Sequence, residues 1–451
     1  MGRGIIPAVP DGSALPQVTI AWLIAFARLA VREAVLAGHA NSDIQGRGRM
    51  IQFVRDNAQW LAAGFLLTFT SAFGQTWFIS LFADFIKDRH GLTDGSWGGL
   101  YTVATLSAAA LMFWRGSLAD TVPLSRLAPA VTLMFAVAAV ALAWAPSVAV
   151  LGVALFLLRF CGQGMFSHMA MTAMGRWFEA RRGQAVSLTN LGHPAGEIFV
   201  PLLVVMLIGG IGWRSTWLVV AGVLCLIVVP LLFLLLSEGR NPVGHQAQIA
   251  RPGLMGRQWR RRDAARHWLL PALLPVLLTP GFIATVIFFH QAHIADVKGW
   301  TLPEMAPGYT AFGVATVIAA FTSGWLADRF GPLRLLPLLV VPMGLGVALI
   351  GPADGVWVWY VALGVVGITQ GMASSLWGVL FPVLYGTAHL GAIRSMATTI
   401  MVISTAIGPG ITGMLIDAGI DFPTQSLFLG LWCGAITLLC FGISRKLKAD
   451  F

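Results

Sequence analysis

Long apolar runs alternate with short polar breaks along this chain, and the runs recur near the ~20 residues that cross a ~30 Å hydrocarbon core as a helix. Read this way, the pattern predicts twelve spans. Six run over 59–84, 97–115, 127–145, 148–174, 184–209 and 214–237, and six over 268–293, 306–326, 335–351, 356–381, 394–418 and 424–443. The polar connections are short except 238–267, which divides the spans six and six. An even number in the first group starts both groups on the same side of the bilayer, so the halves are parallel. The expected fold is all-α and integral to the membrane, twelve transmembrane helices forming two six-helix repeats around a central cavity. Its parts are a first bundle over 51–237, a linker over 238–267, a second bundle over 268–451 and an N-terminal extension over 1–50 outside the repeat. Arg28, Arg32 and Glu33 interrupt the apolar stretch 18–36, which reads as an interfacial helix rather than a span. Met50 is an alternative start, with the extension then not native.

The two halves also match residue by residue. Gly-x-Leu-Ala-Asp stands at 116–120 and again at 324–328, an offset of 208. At that same offset Trp60 pairs with Trp268, Asp88 with Asp296, Gly91 with Gly299, Thr93 with Thr301 and Tyr101–Thr102 with Tyr309–Thr310. The register continues through Arg126/Arg334, Pro129/Pro337, Gly183/Gly391, Ser187/Ser395 and Pro201/Pro409. Matches that are collinear over this length argue for a duplicated unit. In a membrane chain, a duplicated half is the trace of a secondary transporter whose site lies between the repeats.

Composition agrees with the spans: 57% of residues are hydrophobic, 11% are charged, and the mean hydropathy is +0.79. A formal charge of +10 would point to nucleic acid in a soluble chain, but placement decides otherwise. Eighteen Lys and Arg fall on the side of the 238–267 linker and four on the opposite side, with six more before residue 59. That bias sets both termini and the linker in the cytoplasm of a plasma (bacterial inner) membrane. Arg260, Arg261 and Arg262 read as topology determinants near anionic lipid, and no nucleic-acid partner is expected. Cys161, Cys225, Cys433 and Cys440 all lie in apolar stretches and read as packing residues. His290 and His293 stand at i, i+3 without a third ligand, so no metal is expected, while an outer gate or pH-responsive site is open to them. No phosphate-binding Gly-x-x-x-x-Gly-Lys-Ser/Thr loop occurs, which argues against ATP drive and leaves no cofactor implied. The expected partners are a small molecule, protons and the bilayer, with a monomer as the functional unit.

Gly324, Leu326, Ala327, Asp328, Arg329 and Gly331 complete a Gly-x-Leu-Ala-Asp-Arg-x-Gly sequence that resembles the signature of the major facilitator superfamily. The copy at Gly116–Asp120 departs from it, with Thr121 and Pro123 in place of Arg and Gly. The resemblance implies a latch on the cytoplasmic side, with Gly116, Asp120, Gly324, Asp328 and Arg329 as gating residues. An Asp in such a loop is stabilised where a helix N-terminus faces it. A second resemblance is to the branch of monocarboxylate and oxalate–formate carriers. It rests on Gly175-Arg176-Trp177-Phe178-Glu179-Ala180-Arg181-Arg182-Gly183 and on Arg159 followed by Gly162-Gln163-Gly164. It adds Arg176, Arg181 and Arg182 to the gating set. The first span lacks the basic residue and the eighth lacks the charges that such carriers hold, so carboxylate specificity is not inherited outright.

Polar residues at mid-membrane depth are costly and mark sites. Arg159 lies about 25 Å and Glu197 about 21 Å from the cytoplasmic ends of the fourth and fifth spans at 1.5 Å per residue. Equal depth on neighbouring helices predicts an Arg159–Glu197 ion pair. It could serve as a proton- or anion-sensitive switch, or simply fix helix packing. Asn190, His193 and Glu197 share one face of the fifth span at i, i+3, i+7. Gln370, Ser374 and Trp377 form a similar stripe in the tenth. The superfamily resemblance implies that these spans line the cavity. Substrate contacts are therefore expected at Arg159, Gln163, Asn190, His193, Gln370, Ser374, Trp377 and Gln75, with Thr405 completing the ring. Glu197 and His193 are the expected proton-coupling residues, and His168 reads as helix packing.

The leading expectation is a secondary active transporter working by alternating access, moving a small organic anion such as a carboxylate with protons. A multidrug or metabolite exporter is the alternative. Such antiporters resemble Gly-x-x-x-Gly-Pro in the fifth span, and Gly192-His193-Pro194-Ala195-Gly196-Glu197 matches it poorly. A transporter-like sensor would need an output domain, and an enzyme would need a nucleophile–base or metal constellation. Neither stands out.

Overall fold

A computed structural model describes residues 43–116, 118–178, 181–238 and 252–450. The expected interfacial helix at 18–36 lies outside the described residues, as does linker segment 239–251. Two compact units divide the chain at residue 58. The first, from Asp43 on, holds the helix Asp43–Asp56.

The second unit carries the spans, and among the described residues it is all helix and turn. The first span, α1, is a bent pair, Ala58–Gly74 and Thr76–His90, that meet at 43°. Then follow α2 Asp94–Arg115, α3 Leu124–Ala143, α4 Val148–Trp177, α5 Arg182–Ile211 and α6 Trp213–Leu235. The second half has α7 Leu269–Phe289, α8 Leu302–Phe330, α9 Pro332–Ile350, α10 Val356–Tyr385, α11 Leu390–Asp417 and α12 Phe422–Asp450. Ten of these are long and apolar enough to cross a membrane, and the bent α1 makes an eleventh. The twelfth, α2, is less apolar, its sequence carrying Asp94, Ser96, Thr102, Thr105, Ser107 and Arg115. A Cβ on Gly98 would stand 2.2 Å from the Pro409 carbonyl of α11, so only glycine lets these two backbones touch.

The 208-residue repeat turns out to be punctuation. Gly91 (φ 63°) and Gly299 (φ 67°) end equivalent helices in the left-handed region, where glycine meets no Cβ penalty. Thr93 and Thr301, two residues later, each cap the next helix by accepting an N–H, from Ser96 and Glu304 respectively. Tyr101 and Tyr309 are both fully buried one to two turns further on.

Two irregularities of the first half shape the site. In α1, a short 3-10 segment Ser71–Gly74 runs into Gln75, whose backbone is extended at φ −78°, ψ 155°. In α4, residues Arg159–Phe166 form a π-helical segment. They occur where the two helices cross, for a Cβ on Gly162 would lie 2.6 Å from the Gly74 Cα. Straight helices with ordinary side chains could not approach this closely.

The halves meet at α1 with α7, α2 with α11 and α5 with α8. Ser80 donates to the Phe288 carbonyl at 2.6 Å, and Gln291 donates to Ser80 Oγ at 2.8 Å and to the Trp77 carbonyl at 3.3 Å. The Tyr309 hydroxyl donates to Gln291 Oε1. Nearer the helix ends, Asp417 accepts from Thr93 Oγ1 at 2.7 Å and from the Gly95 N–H at 3.1 Å. His293 Nδ1 stands 3.8 Å from Asp94 Oδ2, so the two histidines of α7's end are tied to α2 and, through the His290–Thr412 bond of 2.7 Å, to α11. All of these contacts lie in the halves of the helices away from the linker. They form a seal on that side.

Candidate functional site

Arg159 heads the π-helical segment of α4 and is 1% exposed. Its Nη1 donates to the Gly74 carbonyl at 2.9 Å. In an unbroken α1 that carbonyl would be taken by the amide of residue 78, but the Phe78 N–H bonds to Gln75 instead. The break in α1 therefore supplies the acceptor that the buried guanidinium needs. Below it lies the ring of Tyr101 on α2, 5.2 Å from Cζ, with its hydroxyl 2.7 Å from Thr76 Oγ1. Nε and Nη2 make no hydrogen bond among the described residues. Those two atoms form one edge of the guanidinium, the edge that grips a carboxylate through two parallel bonds.

The expected ion pair with Glu197 does not form among the described residues: Arg159 is bonded to the Gly74 carbonyl instead. Depth alone was an incomplete guide. The π-helical turn changes the angular phase of α4 and aims Arg159 at α1 and α2, while Glu197 sits on another face of α5. Gly192 and Gly196 press α5 against Thr68 and Ala72 of α1, and Pro194 and Ile198 face Gly313 of α8. At 100° per residue, Asn190, His193 and Glu197 fall together between those two faces. Glu197 is half-buried there and Asn190 exposed, neither with a hydrogen bond among the described residues.

His193 is held from both sides. Its Nδ1 lies 3.2 Å from Ser71 Oγ and its Nε2 3.2 Å from Ser167 Oγ. Ser71 already donates to the Thr68 carbonyl at 2.6 Å, so its oxygen accepts the proton of Nδ1–H, and Nε2 accepts from Ser167. The ring thus ties α5 to α1 and α4. Gln75 occupies the break itself, half-buried, and Gln163 is half-buried one turn beyond Arg159.

The stripe on α10 stays apart from this group. Gln370 is half-buried, Ser374 is exposed with its hydroxyl on its own helix at the Gly371 carbonyl (2.7 Å), and Trp377 is buried against Phe381. Thr405 likewise bonds its own helix, at Val402 (2.8 Å). Among the described residues no hydrogen bond links this stripe to Arg159 or His193.

On the linker side, the Gly116 carbonyl accepts from His168 Nε2 at 3.0 Å, so His168 pins α4 to the end of α2. The Asp120 side chain lies outside the described residues. Gly324 lies within α8, Asp328 is exposed in its last turn, and Arg329 covers Trp325 and Phe330 of the same helix. Helix α8 continues through the motif to Phe330. Arg176 and Arg181 are half-buried, while the exposed Arg182 lies over Gly175.

Tyr101, Thr76 and Gly74, which complete the arginine site, were not singled out for it by sequence. One signal was present: Tyr101 and Tyr309 are two of only four tyrosines and stand in repeat register. Ser80 and Gln291 were also visible as polar breaks in apolar runs.

Family comparison agrees with this architecture. The model of the Major Facilitator Superfamily matches residues 64–409 and 281–450, and the chain belongs to that superfamily. Relatives that it matches are named as transporters. Human monocarboxylate transporter 11 is 26% identical over 65% of this chain, a match spanning only 63% of that protein's own length. A probable sulfoacetate transporter from Cupriavidus necator is 23% identical over 82% of this chain and 90% of its own. The L-fucose-proton symporter of Escherichia coli is 21% identical over 58% of each. Among solved structures, a bacterial homologue of the human lysosomal transporter Spinster, inward-facing and unoccupied, superposes with a TM-score of 0.68. That match covers 87% of this chain and 98% of the other at 16% identity, and so speaks to the fold.

Proposed function

We propose that this chain is a secondary active transporter that moves a small organic anion, a carboxylate in the first instance, by alternating access and with proton coupling. One observation carries the reading. A guanidinium 1% exposed at mid-span has no carboxylate partner and keeps the Nε–Nη2 edge unbonded. An unpaired charge in hydrocarbon is retained when it serves a ligand or an ion path. Arg159 is the anion's contact, and Gln75 and Gln163 flank it. Glu197, half-buried on the neighbouring helix, takes the coupling proton, and His193 holds the wall between them. The names of the monocarboxylate and sulfoacetate relatives, small acids that are anionic at neutral pH, support this reading.

Lys and Arg number eighteen on the linker side and four on the sealed side, which supports a cytoplasmic linker side in a plasma membrane. The seal then faces outward, and the conformation is the inward-facing half of the cycle. Gly116, Asp120, Gly324, Asp328, Arg329, Arg176, Arg181 and Arg182 form the gate that closes the cytoplasmic side in the other half. A drug exporter is the weaker reading, since a buried arginine repels cationic drugs.

Uptake of radiolabelled acetate, L-lactate, sulfoacetate and neutral sugars into proteoliposomes tests the assignment. Arg159→Gln is expected to abolish uptake of the anion while the protein still folds. Wild-type rates in that variant would end the reading.

A further inference from the structure

The arginine site and the seal share one side chain. Tyr101 is fully buried, lies face-on beneath the Arg159 guanidinium at 5.2 Å, and bonds Thr76 just past the break in α1. Its ring also lies 4.8 Å from that of Phe289, which belongs to α7 in the other half. One turn earlier, Trp97 stacks on the same Phe289 at 5.7 Å and 19°. The repeat mate Tyr309 does the corresponding work from the second half, packing on Trp77 of α1 at 5.9 Å and on Phe288 at 5.3 Å. The tyrosines thus sit at equivalent places in the seal. Of the two, Tyr101 alone has a cation on its face among the described residues.

We propose that Tyr101 is the positioning residue through which occupancy of the Arg159 site releases the seal between the halves; this rests on the reading of Arg159 as the anion's contact. A bare guanidinium attracts the ring beneath it through its full charge. An oxyanion on Nε and Nη2 lies in the guanidinium plane and neutralises much of that charge. The ring is then held by its neighbours, Thr76 and Phe289 among them, and the Phe289 contact crosses between the halves. A ligand shifts a conformational equilibrium only by its differential affinity for the two states. Here the difference is the competition between ring and anion for one cation, which is relieved when the seal opens. By reciprocity, removing the ring contact makes the anion's affinity nearly the same in both states.

The test uses the full chain in lipid nanodiscs with Cys225→Ala, spin-labelled at Arg89→Cys and Val297→Cys, exposed positions on the sealed side of each half. Distance distributions are recorded with and without L-lactate, with acetate as second probe, and the thermal midpoint reports binding. In the wild type, lactate is expected to raise the ratio of long to short distances about tenfold. Tyr101→Leu is expected to keep Arg159-dependent stabilisation, with apparent affinity tightened by up to about tenfold because the competing ring is gone, yet to lose the rise in long distances. Tyr101→Phe keeps the ring and so keeps the rise. Phe289→Leu leaves the Arg159–Tyr101 contact untouched, is also expected to lose the rise, and serves if Tyr101→Leu does not fold. A wild-type rise in Tyr101→Leu or Phe289→Leu overturns the proposal. If neither anion stabilises the wild type, the reading of Arg159 fails and takes the proposal with it. If both stabilise the wild type but not Arg159→Gln, and the rise survives Tyr101→Leu, only the present proposal falls.

Discussion

Replacing Arg159 by glutamine separates two roles open to a buried arginine. In a structural role the guanidinium stabilises the bundle, and its loss resembles breaking a buried ion pair, which costs about 3–5 kcal/mol. In a ligand-binding role the unliganded protein tolerates the charge rather than depends on it. The contacts decide between these. One charge-assisted bond to the Gly74 carbonyl contributes about 2 kcal/mol. The Tyr101 ring at 5.2 Å contributes about 2 kcal/mol in a desolvated setting. Against them, an arginine at membrane depth costs about 3 kcal/mol even on the lenient insertion scale. The unbonded Nε–Nη2 edge adds about 1–3 kcal/mol. The terms cancel to about 1 kcal/mol, and glutamine can still donate to Gly74. Arg159→Gln is therefore expected to melt within the equivalent of about 1–2 kcal/mol of wild type, on either side, in a tryptophan-fluorescence scan. Added anion should raise the wild-type midpoint by linkage and leave the variant unmoved. A loss of about 3 kcal/mol or more would refute the cancellation and make Arg159 a structural residue.

Further expectations concern the seal and the proton. Gln291→Leu removes the bonds to Ser80 and the Trp77 carbonyl and should raise sealed-side opening roughly tenfold, read as thiol labelling at Val297→Cys; unchanged labelling would show the network to be dispensable. Gly98→Val places a Cβ where 2.2 Å separates it from the Pro409 carbonyl, so the variant should favour the open seal by spin-label distances. A closed distribution in that variant would mean that α2 and α11 part easily. Glu197→Gln should flatten the pH dependence of anion uptake while uptake itself persists, and an unaltered pH profile would move the coupling proton elsewhere.

The architecture was legible in the chain because its causes are local or periodic. Hydrocarbon thickness imposes span length, and helix caps recur wherever a helix ends. Gly91/Gly299 and Thr93/Thr301 therefore carry the duplication in the sequence itself. Arg159 was legible as well, since a charge inside a 57% hydrophobic chain has few innocent placements. Its partner was not. Depth along a helix follows from counting residues, but direction depends on helical phase, and the π-helical turn at Arg159–Phe166 changes that phase. The break at Gln75, which frees the Gly74 carbonyl, arises where α1 crosses α4, with Gly74 and Gly162 in backbone contact. No single segment encodes that crossing. Sequence by itself determined the spans, the repeat and the lone buried cation. Tertiary structure alone decided that the cation lies over Tyr101, faces away from Glu197 and keeps one edge unbonded, because helix phase and helix crossing are settled between segments rather than within them.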